Sequence, residues 1–402
     1  MNHAYDAIVV GARCAGSPTA MLLARMGHRV LLVDRATFPS DTISTHVIHP
    51  VATAALSRWG LLERLESTGC PPIDRYEFDF GPLTIGGSPQ ADGTPPTYCP
   101  RRTVLDKMLL DAAAEAGAEV REGFSISELV FEDGIVKGVR GAERGGRPVT
   151  ERASVVIGAD GRHSRVAEAV LPEQYKEREP LQIGYYSYWS GLPTHGRFEI
   201  YIRLHRGFAA MPTNDGLTLV IAGRPYADFH EYRSDMEGNY MEILQLDPEF
   251  ADRLAGARRV ERFSGAGVPG YFRKPYGPGW ALVGDAGYNK DPITAQGILD
   301  AFLDAELCAE AVHEASTGLR SYDDAMGRYQ RMRDERCLPM YEMTCEIATL
   351  EPPPPPMQAL LAAIHGHQDA MDDFVRMNAG TISPAQFFSS ESVVRRTGGG
   401  GQ

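Results

Sequence analysis

Cysteine is scarce in this chain and is never paired at a functional spacing. The six cysteines, Cys14, Cys70, Cys99, Cys308, Cys337 and Cys345, form no C-x-x-C pair and no His/Cys cluster, which excludes a disulfide framework, a structural zinc site and a dithiol redox motif. They read as reduced, buried thiols, and no metal is expected. No apolar run approaches the roughly eighteen residues of a membrane span, and the amino terminus enters a strand without a charged region and cleavage site. A cytoplasmic protein is the expectation. Positive charge is also short: 40 Lys and Arg against 53 Asp and Glu leave a formal charge of −13, which argues against nucleic acid or an anionic membrane as partner. Tryptophan is limited to the distant Trp59, Trp189 and Trp280, and no W-x-W-x-I-P segment occurs. The remaining composition, 43% apolar and 23% charged, is that of a globular chain. Its 402 residues suffice for two closely joined domains.

What is present begins at once, in YDAIVVGARCAGSPTAMLLARMGHRVLLVDR from Tyr5 to Arg35. The apolar run Ala7 to Val10 reads as a buried strand, a helix is expected from about Ala15 to Met26, and RVLLVD reads as a second strand. Gly11, Gly16 and Asp34 fall at dinucleotide-fold spacing. Gly11 permits the sharp exit from the strand, and Gly16 lets the helix approach the sheet with its N-terminus toward a pyrophosphate. Asp34 can accept from an adenosine ribose hydroxyl, with Arg35 beside it. Arg13 stands where the motif has its middle glycine, and it can swing outward to add charge at the phosphates. Cys14 and Ala15 complete the turn, Cys14 as a small buried filler.

The segment ATFPSDTISTHVIHP reads as an irregular loop before a helix that starts near Val51, and long ordered loops beside nucleotide sites are often functional. Its His46 and His49 have local hydrogen bonding or solvent contact as a reading at least as good as catalysis. RYEFDF, with alternating Tyr76, Phe78 and Phe80, suggests an excursion into a second sheet. RRTVLDKMLLDAAAEAGAEV is an amphipathic helix closed by Gly117. Strands follow in SISELVFED, GIVKGVRG and ASVVIGADG, the last returning to the first sheet. From Ile183 to Gly223 the pattern becomes antiparallel: GYYSYWSGL, the alternating run RFEIYIRLHRGFAAMP, a turn at Asn214 to Gly216, then LTLVIAG. Gly265, Gly267 and Gly270 spell a second G-x-G-x-x-G. Pro269, Pro275 and Pro278 forbid the helix that a nucleotide site needs there. Helices are expected over about 232–257, 296–316, 322–350 and 357–377, with EPPPPP as a stiff turn and GGGGQ as a frayed end.

GARCAG with Asp34, GADGRHSRVAEAV at Gly158 to Val170, and GDAGYNKDPITAQG at Gly284 to Gly297 together resemble the flavoprotein monooxygenases of the para-hydroxybenzoate hydroxylase type, with their relatives the geranylgeranyl reductases and flavin-dependent halogenases. The resemblance spans roughly Tyr5 to Ala315, and Arg102, Leu105 and Asp106 match the family's R-x-x-L-D helix start. It implies an α/β fold: a Rossmann-like FAD-binding domain from residues 1–70, 100–170 and 275–320, an interleaved antiparallel-sheet substrate domain from 71–99 and 171–274, and a C-terminal helical segment over 321–402. It implies FAD, with Asp285 after Gly284 at the ribityl side, Pro292, Gln296 and Gly297 against the isoalloxazine, and Arg102, Asp160 and Gly161 as further contacts. Arg165 is expected to help with phosphate charge, with a structural turn between strand and helix as the competing account of this motif.

The implied activity is an NADH- or NADPH-consuming monooxygenase that adds dioxygen at flavin C4a and oxygenates an aromatic or polycyclic small molecule. A reductase of isoprenoid double bonds is the alternative, and a halogenase fits less well without the tryptophan motif. Candidate substrate walls are Tyr186, Tyr188, Trp189, Phe208 and Met211. No catalytic residue is assigned; His46 and Pro292 are the candidates. Tyr288 and Asn289 stand where many relatives carry Ala-His.

Overall fold

The computed structural model describes residues 5–91 and 93–397; the glycine tail expected to fray lies outside them. The first strand, β1 (Tyr5–Val10), is buried at every position but Asp6, as an apolar run flanked on both sides must be. It pairs in parallel with β2 (Val30–Val33) and with Val149–Gly158, and the latter pairs in parallel with Trp280–Leu282. Glu119–Arg121 joins β2 in parallel at the other side. The amino-terminal half of Val149–Gly158 leaves this sheet, and its residues Val149 to Arg152 pair with an antiparallel meander of Phe124–Glu132 and Ile135–Glu143. Helices α1 (Gly16–Arg25), α2 (Arg102–Glu115) and α3 (Gly297–Ser316) cover one face. Met21, Leu105 and Phe302 meet there in one core.

The second sheet runs Arg258–Arg259, Gln182–Ser190, Leu217–Pro225, Arg206–Pro212, Arg197–Arg203, Arg75–Asp79 and Thr84–Gly87. Its pairings are antiparallel except that Arg75–Asp79 lies parallel to Arg197–Arg203. One of its faces packs under the helices Phe229–Ser234, Met236–Leu244 and Pro248–Ala255. The other meets the C-terminal helices Pro355–Ile364 and Gln368–Asn378. Gln174–Arg178, Gly270–Arg273 and Tyr288–Asn289 make a small third sheet.

Two expectations about elements need correction. The alternating run RFEIYIRLHRGFAAMP is a hairpin, Arg197–Arg203 and Arg206–Pro212, turning at Leu204 and His205. His205 adopts φ +55°, and a two-residue turn between paired strands preserves the period-two pattern, so the break leaves no trace in it. The helix read over 357–377 is likewise two, because Gly366 at φ +81° breaks it. Pro355 and Pro356 then open the first of the pair, where proline's missing N–H costs nothing. The short helix Pro384–Ser389, capped by Ser383 and Gln386, was not expected.

Candidate functional site

At the carboxyl end of β1 the chain turns through Gly11 at φ +101°, where a Cβ would lie 2.5 Å from the Ala159 carbonyl oxygen. A Cβ on Gly16 would lie 1.7 Å from the Gly11 oxygen, so only glycine lets α1 begin against the strand end. Asp34 closes the turn from β2: its carboxylate accepts from the Ala12 N–H at 2.7 Å and the Ala36 N–H at 2.8 Å. Arg13 lies along the cavity wall, its guanidinium already engaged by the protein. Its guanidinium donates to Asp106 at 2.5 Å, to the Ser40 hydroxyl at 2.9 Å and to the Asp41 carbonyl at 3.2 Å. Asp106 is fully buried on α2 and also accepts from Arg102 Nε at 3.0 Å and Nη2 at 2.9 Å. A buried carboxylate must be paired, and that demand draws both arginines to it. Cys14 donates to the same carboxylate at 3.4 Å, and burial pushes its thiol well up, as an inert filler requires.

Asp160 is engaged by its own turn. It accepts from the Ser164 hydroxyl at 2.5 Å and the Arg165 N–H at 2.7 Å, beside the start of Arg165–Val170, whose N-cap is Ser164. Arg165 pairs with Glu168 at 2.9 Å in an exposed position. Gly161 has φ +77° and open space where a Cβ would be.

The third motif comes back to the first. Gly284, at φ +57°, would put a Cβ 2.8 Å from the Ala15 Cβ. Asp285 faces the cleft, and the protein crowded around it pushes its carboxyl up to about 6, against the pull of Arg102. Asp291 accepts from Gln182 at 2.6 Å and from the Ile293 N–H at 3.0 Å. Burial raises its carboxyl to about 6 as well. The turn Pro292–Thr294 leads through Ala295, at φ +54°, into α3. Gly297 has nothing within 4 Å of where its Cβ would stand. Gln296 points elsewhere, donating to the Asn378 carbonyl at 3.1 Å.

These parts surround one cavity of about 1420 Å³. A single drug-sized ligand fills roughly 300–1,000 Å³, so there is room for a cofactor and a substrate. Gly11, Arg13, Cys14, Ala15, Asp34, Arg35, Arg102, Asp160, Gly161, Gly284, Asp285, Pro292 and Gly297 line it, whereas Gly16 and Gln296 stand behind its wall.

The structure divides the aromatic candidates. Tyr186, Phe208 and Met211 line the cavity; Tyr188 and Trp189 do not. Trp189 lies on the other face of the sheet, its indole N–H 3.3 Å from the Tyr240 hydroxyl beneath the helices. Strand alternation sends it there, since it is an odd number of residues from Tyr186. His46 is also outside the cavity. A carbonyl only accepts, so Nδ1–H donates to Ser44 at 2.7 Å and Nε2 accepts from the Tyr188 hydroxyl at 2.7 Å. Burial, then the Arg102 charge, lowers its pKa to about 3. With both nitrogens engaged it is a structural histidine. His49 does line the cavity. Its Nε2–H donates to the Thr294 carbonyl at 3.2 Å and its Nδ1 accepts from Tyr76, whose hydroxyl also meets Thr97 at 2.6 Å.

Sequence reasoning missed much of the far wall. Phe198 and Ile200 come from the second sheet, while Met343, Phe374 and the prolines Pro352 to Pro354 come from the C-terminal region. The alternation of RYEFDF was the one signal, as Tyr76, Phe78 and Phe80 all line the cavity. Nothing local marks the C-terminal residues as part of a site.

Residues 4–338 match the family model described as FAD binding domain. The chain belongs to that family. It is an FAD-dependent oxidoreductase. It is 31% identical to the digeranylgeranylglycerophospholipid reductase of Methanosarcina mazei, over 78% of this chain and 76% of that protein. It is 26% identical to the 6-methylpretetramide 4-monooxygenase of Streptomyces rimosus, over 82% of this chain and 81% of the other. Its fold is similar to that of the myxobacterial chondrochloren halogenase CndH, with a TM-score of 0.80 and 23% identity over 99% of this chain and 97% of that one. The cavity fits FAD on its own terms: the Gly161 and Gly297 positions are open, the α3 N-terminus borders the cavity, and the Asp285 carboxyl faces into it.

Proposed function

We propose that this flavoenzyme is a monooxygenase that oxygenates an uncharged aromatic or polycyclic molecule, with NADH or NADPH as electron donor. The observation that supports this most is the continuity of the cavity. It passes from the glycine turn and Asp285 to an apolar end walled by Phe78, Phe80, Phe198, Met211 and Phe374. The charged side chains lining that end, Arg206, Glu346 and Glu351, reach solvent, and Arg206 is paired with Glu242 at 2.6 Å. No buried charge there favours an ionic substrate.

Bound FAD supplies the redox and dioxygen chemistry that side chains lack. The chain's own part is to bind, orient and dry. The backbone around Gly11 and the α1 N-terminus receive the pyrophosphate. Asp34 keeps lone pairs that would serve ribose hydroxyls after its two backbone bonds, and Asp285 would accept from the ribityl chain. The Pro292–Gly297 turn, held from behind by His49, would border the ring. The aromatic wall positions the substrate and excludes water. A second cleft, about 390 Å³, shares Arg162 and His163 with the main cavity and is lined by Arg178 and Arg273 together with Glu177 and Glu179.

Reduction of isoprenoid double bonds is the second reading, favoured by the Methanosarcina relative and by the same apolar wall. Incubation with NADPH, ¹⁸O₂ and a panel of polycyclic phenols and prenyl lipids separates the two. Labelled oxygen in the product supports the monooxygenase. A saturated, unlabelled prenyl product overturns it in favour of the reductase.

A further inference from the structure

We propose that Lys290 and Asp300 act on the redox potential of FAD in this cavity as two opposed fixed charges, Lys290 raising it and Asp300 lowering it. The proposal rests on the placement of FAD along the Pro292–Gly297 turn. Lys290 immediately precedes that turn's Asp291 cap, and Asp300 lies in the first helical turn beyond Gly297. Both line the cavity. The Lys290 ammonium donates to Asp300 at 2.6 Å and to the Gln296 side-chain oxygen at 3.2 Å, and it lies 5.4 Å from the Tyr288 ring centroid.

The fold alone does not call for this arrangement. The Lys290 side chain is 4% exposed and that of Asp300 11%. Replacing such a pair with apolar residues is often neutral or stabilising, so its presence asks for another use. Electrons arriving at a ligand in this cavity add negative charge beside two fixed charges that water screens poorly. A cation in the wall makes that change easier and an anion makes it harder. The Asp300 carboxylate also opposes the partial positive charge of the α3 N-terminus, and Lys290 restores the balance.

Other charges face the same region. Asp304 is paired with Arg336 at 2.8 Å, and Asp285 feels Arg102, Arg162, Asp300 and Asp304. These stay in place in the test, so they form a constant background.

The test uses the FAD-loaded full chain and four variants: Lys290→Met, Lys290→Arg, Asp300→Asn and the Met/Asn double substitution. Midpoint potentials are measured by anaerobic spectroelectrochemistry at pH 8.5, above the ordinary carboxylate range. Sulfite affinity gives a second readout, because its flavin adduct is anionic. Lys290→Met should lower the potential and weaken sulfite binding about tenfold, equal to about 1.4 kcal/mol. Asp300→Asn should shift both the opposite way, and the double variant should return near the wild-type values. Lys290→Arg keeps the charge and should keep the potential, even if Lys290→Met folds poorly. Shifts of one sign in both single variants, or unmoved potentials in flavin-loaded protein, overturn the proposal. A wild-type chain that takes up no FAD overturns the cofactor placement itself.

Discussion

Gly16 and Gly297 both belong to the glycine motifs, yet only Gly16 is required by the protein's own packing. A Cβ at Gly16 would overlap the Gly11 carbonyl oxygen at 1.7 Å, while one at Gly297 would meet nothing within 4 Å. Gly16→Ala should therefore destabilise the apoprotein by about 1–3 kcal/mol through overpacking. Gly297→Ala, at a helix start with ordinary backbone angles, should leave apoprotein stability within about 0.5 kcal/mol and still weaken FAD binding. Urea unfolding without FAD and flavin titration read the two effects separately. Equal destabilisation of both apoproteins would contradict this division. The histidines make a second contrast. Burial first, then Arg102 or Lys290 nearby, lowers His46 to about 3 and His49 to about 4. Between those values and the unfolded 6.5, the unfolded chain binds protons that the folded chain does not, so this part of stability falls as pH drops through that window. Asp285 and Asp291, raised to about 6, work the other way, gaining stability as pH falls from 6 toward 3.8. The histidine contribution is isolated by comparing wild type with a His46→Gln/His49→Gln variant. The wild type should lose more stability than the variant between pH 7.5 and pH 5.

At the scale of elements, the Tyr322–Ile347 helix is tied to the third motif by Thr344, whose hydroxyl meets that of Thr294 at 3.1 Å, and by Arg333. Arg333 is fully buried and donates to the Gly287 carbonyl at 3.3 Å, the Arg273 carbonyl at 3.0 Å and the Tyr175 hydroxyl at 2.7 Å, with Asp334 as its ionic partner at 2.8 Å. Arg333→Met would strand those acceptors. It should cost about 3 kcal/mol, measured by denaturant midpoint; a loss under about 1 kcal/mol would show that water replaces the guanidinium. Sequence patterns read such elements unevenly. The first strand, turn and helix were legible because every residue's constraint is local: an apolar run, two glycines with distinct steric jobs, and an acid at the second strand's end. The hairpin at His205 was not, since alternation continues unchanged across it. The contacts of Arg13 were not legible for a different reason. Its partner Asp106 lies in another helix, and no spacing rule links residues that meet only when α1 and α2 pack.

For the molecule as a whole, the cavity couples ligand binding to stability. FAD bound to the folded chain alone should stabilise it by about 2.7 kcal/mol at a free concentration one hundred times its dissociation constant. A thermal scan with and without FAD checks this, and an unchanged melting temperature would count against the cofactor site. The far wall depends on chain segments remote from the glycine motifs. Phe374 packs on Phe78 at 5.2 Å and Phe80 at 6.5 Å between ring centroids. Phe374→Ala should raise KM for an apolar substrate at least several-fold while changing FAD affinity little; a loss confined to kcat would place Phe374 nearer the chemistry.

By itself the sequence determined the nucleotide turn, because that rests on steric and polar demands of single residues at short range, and its three glycine motifs carried the α/β class and the FAD reading through their resemblance to a known family. Tertiary structure alone decided that Arg13 serves Asp106, that Trp189 faces away from the cavity while Tyr186 faces it, and that the C-terminal helices close the apolar end. Each of those outcomes depends on which surfaces bury one another. Burial is a property of the packed chain, and no local pattern carries it.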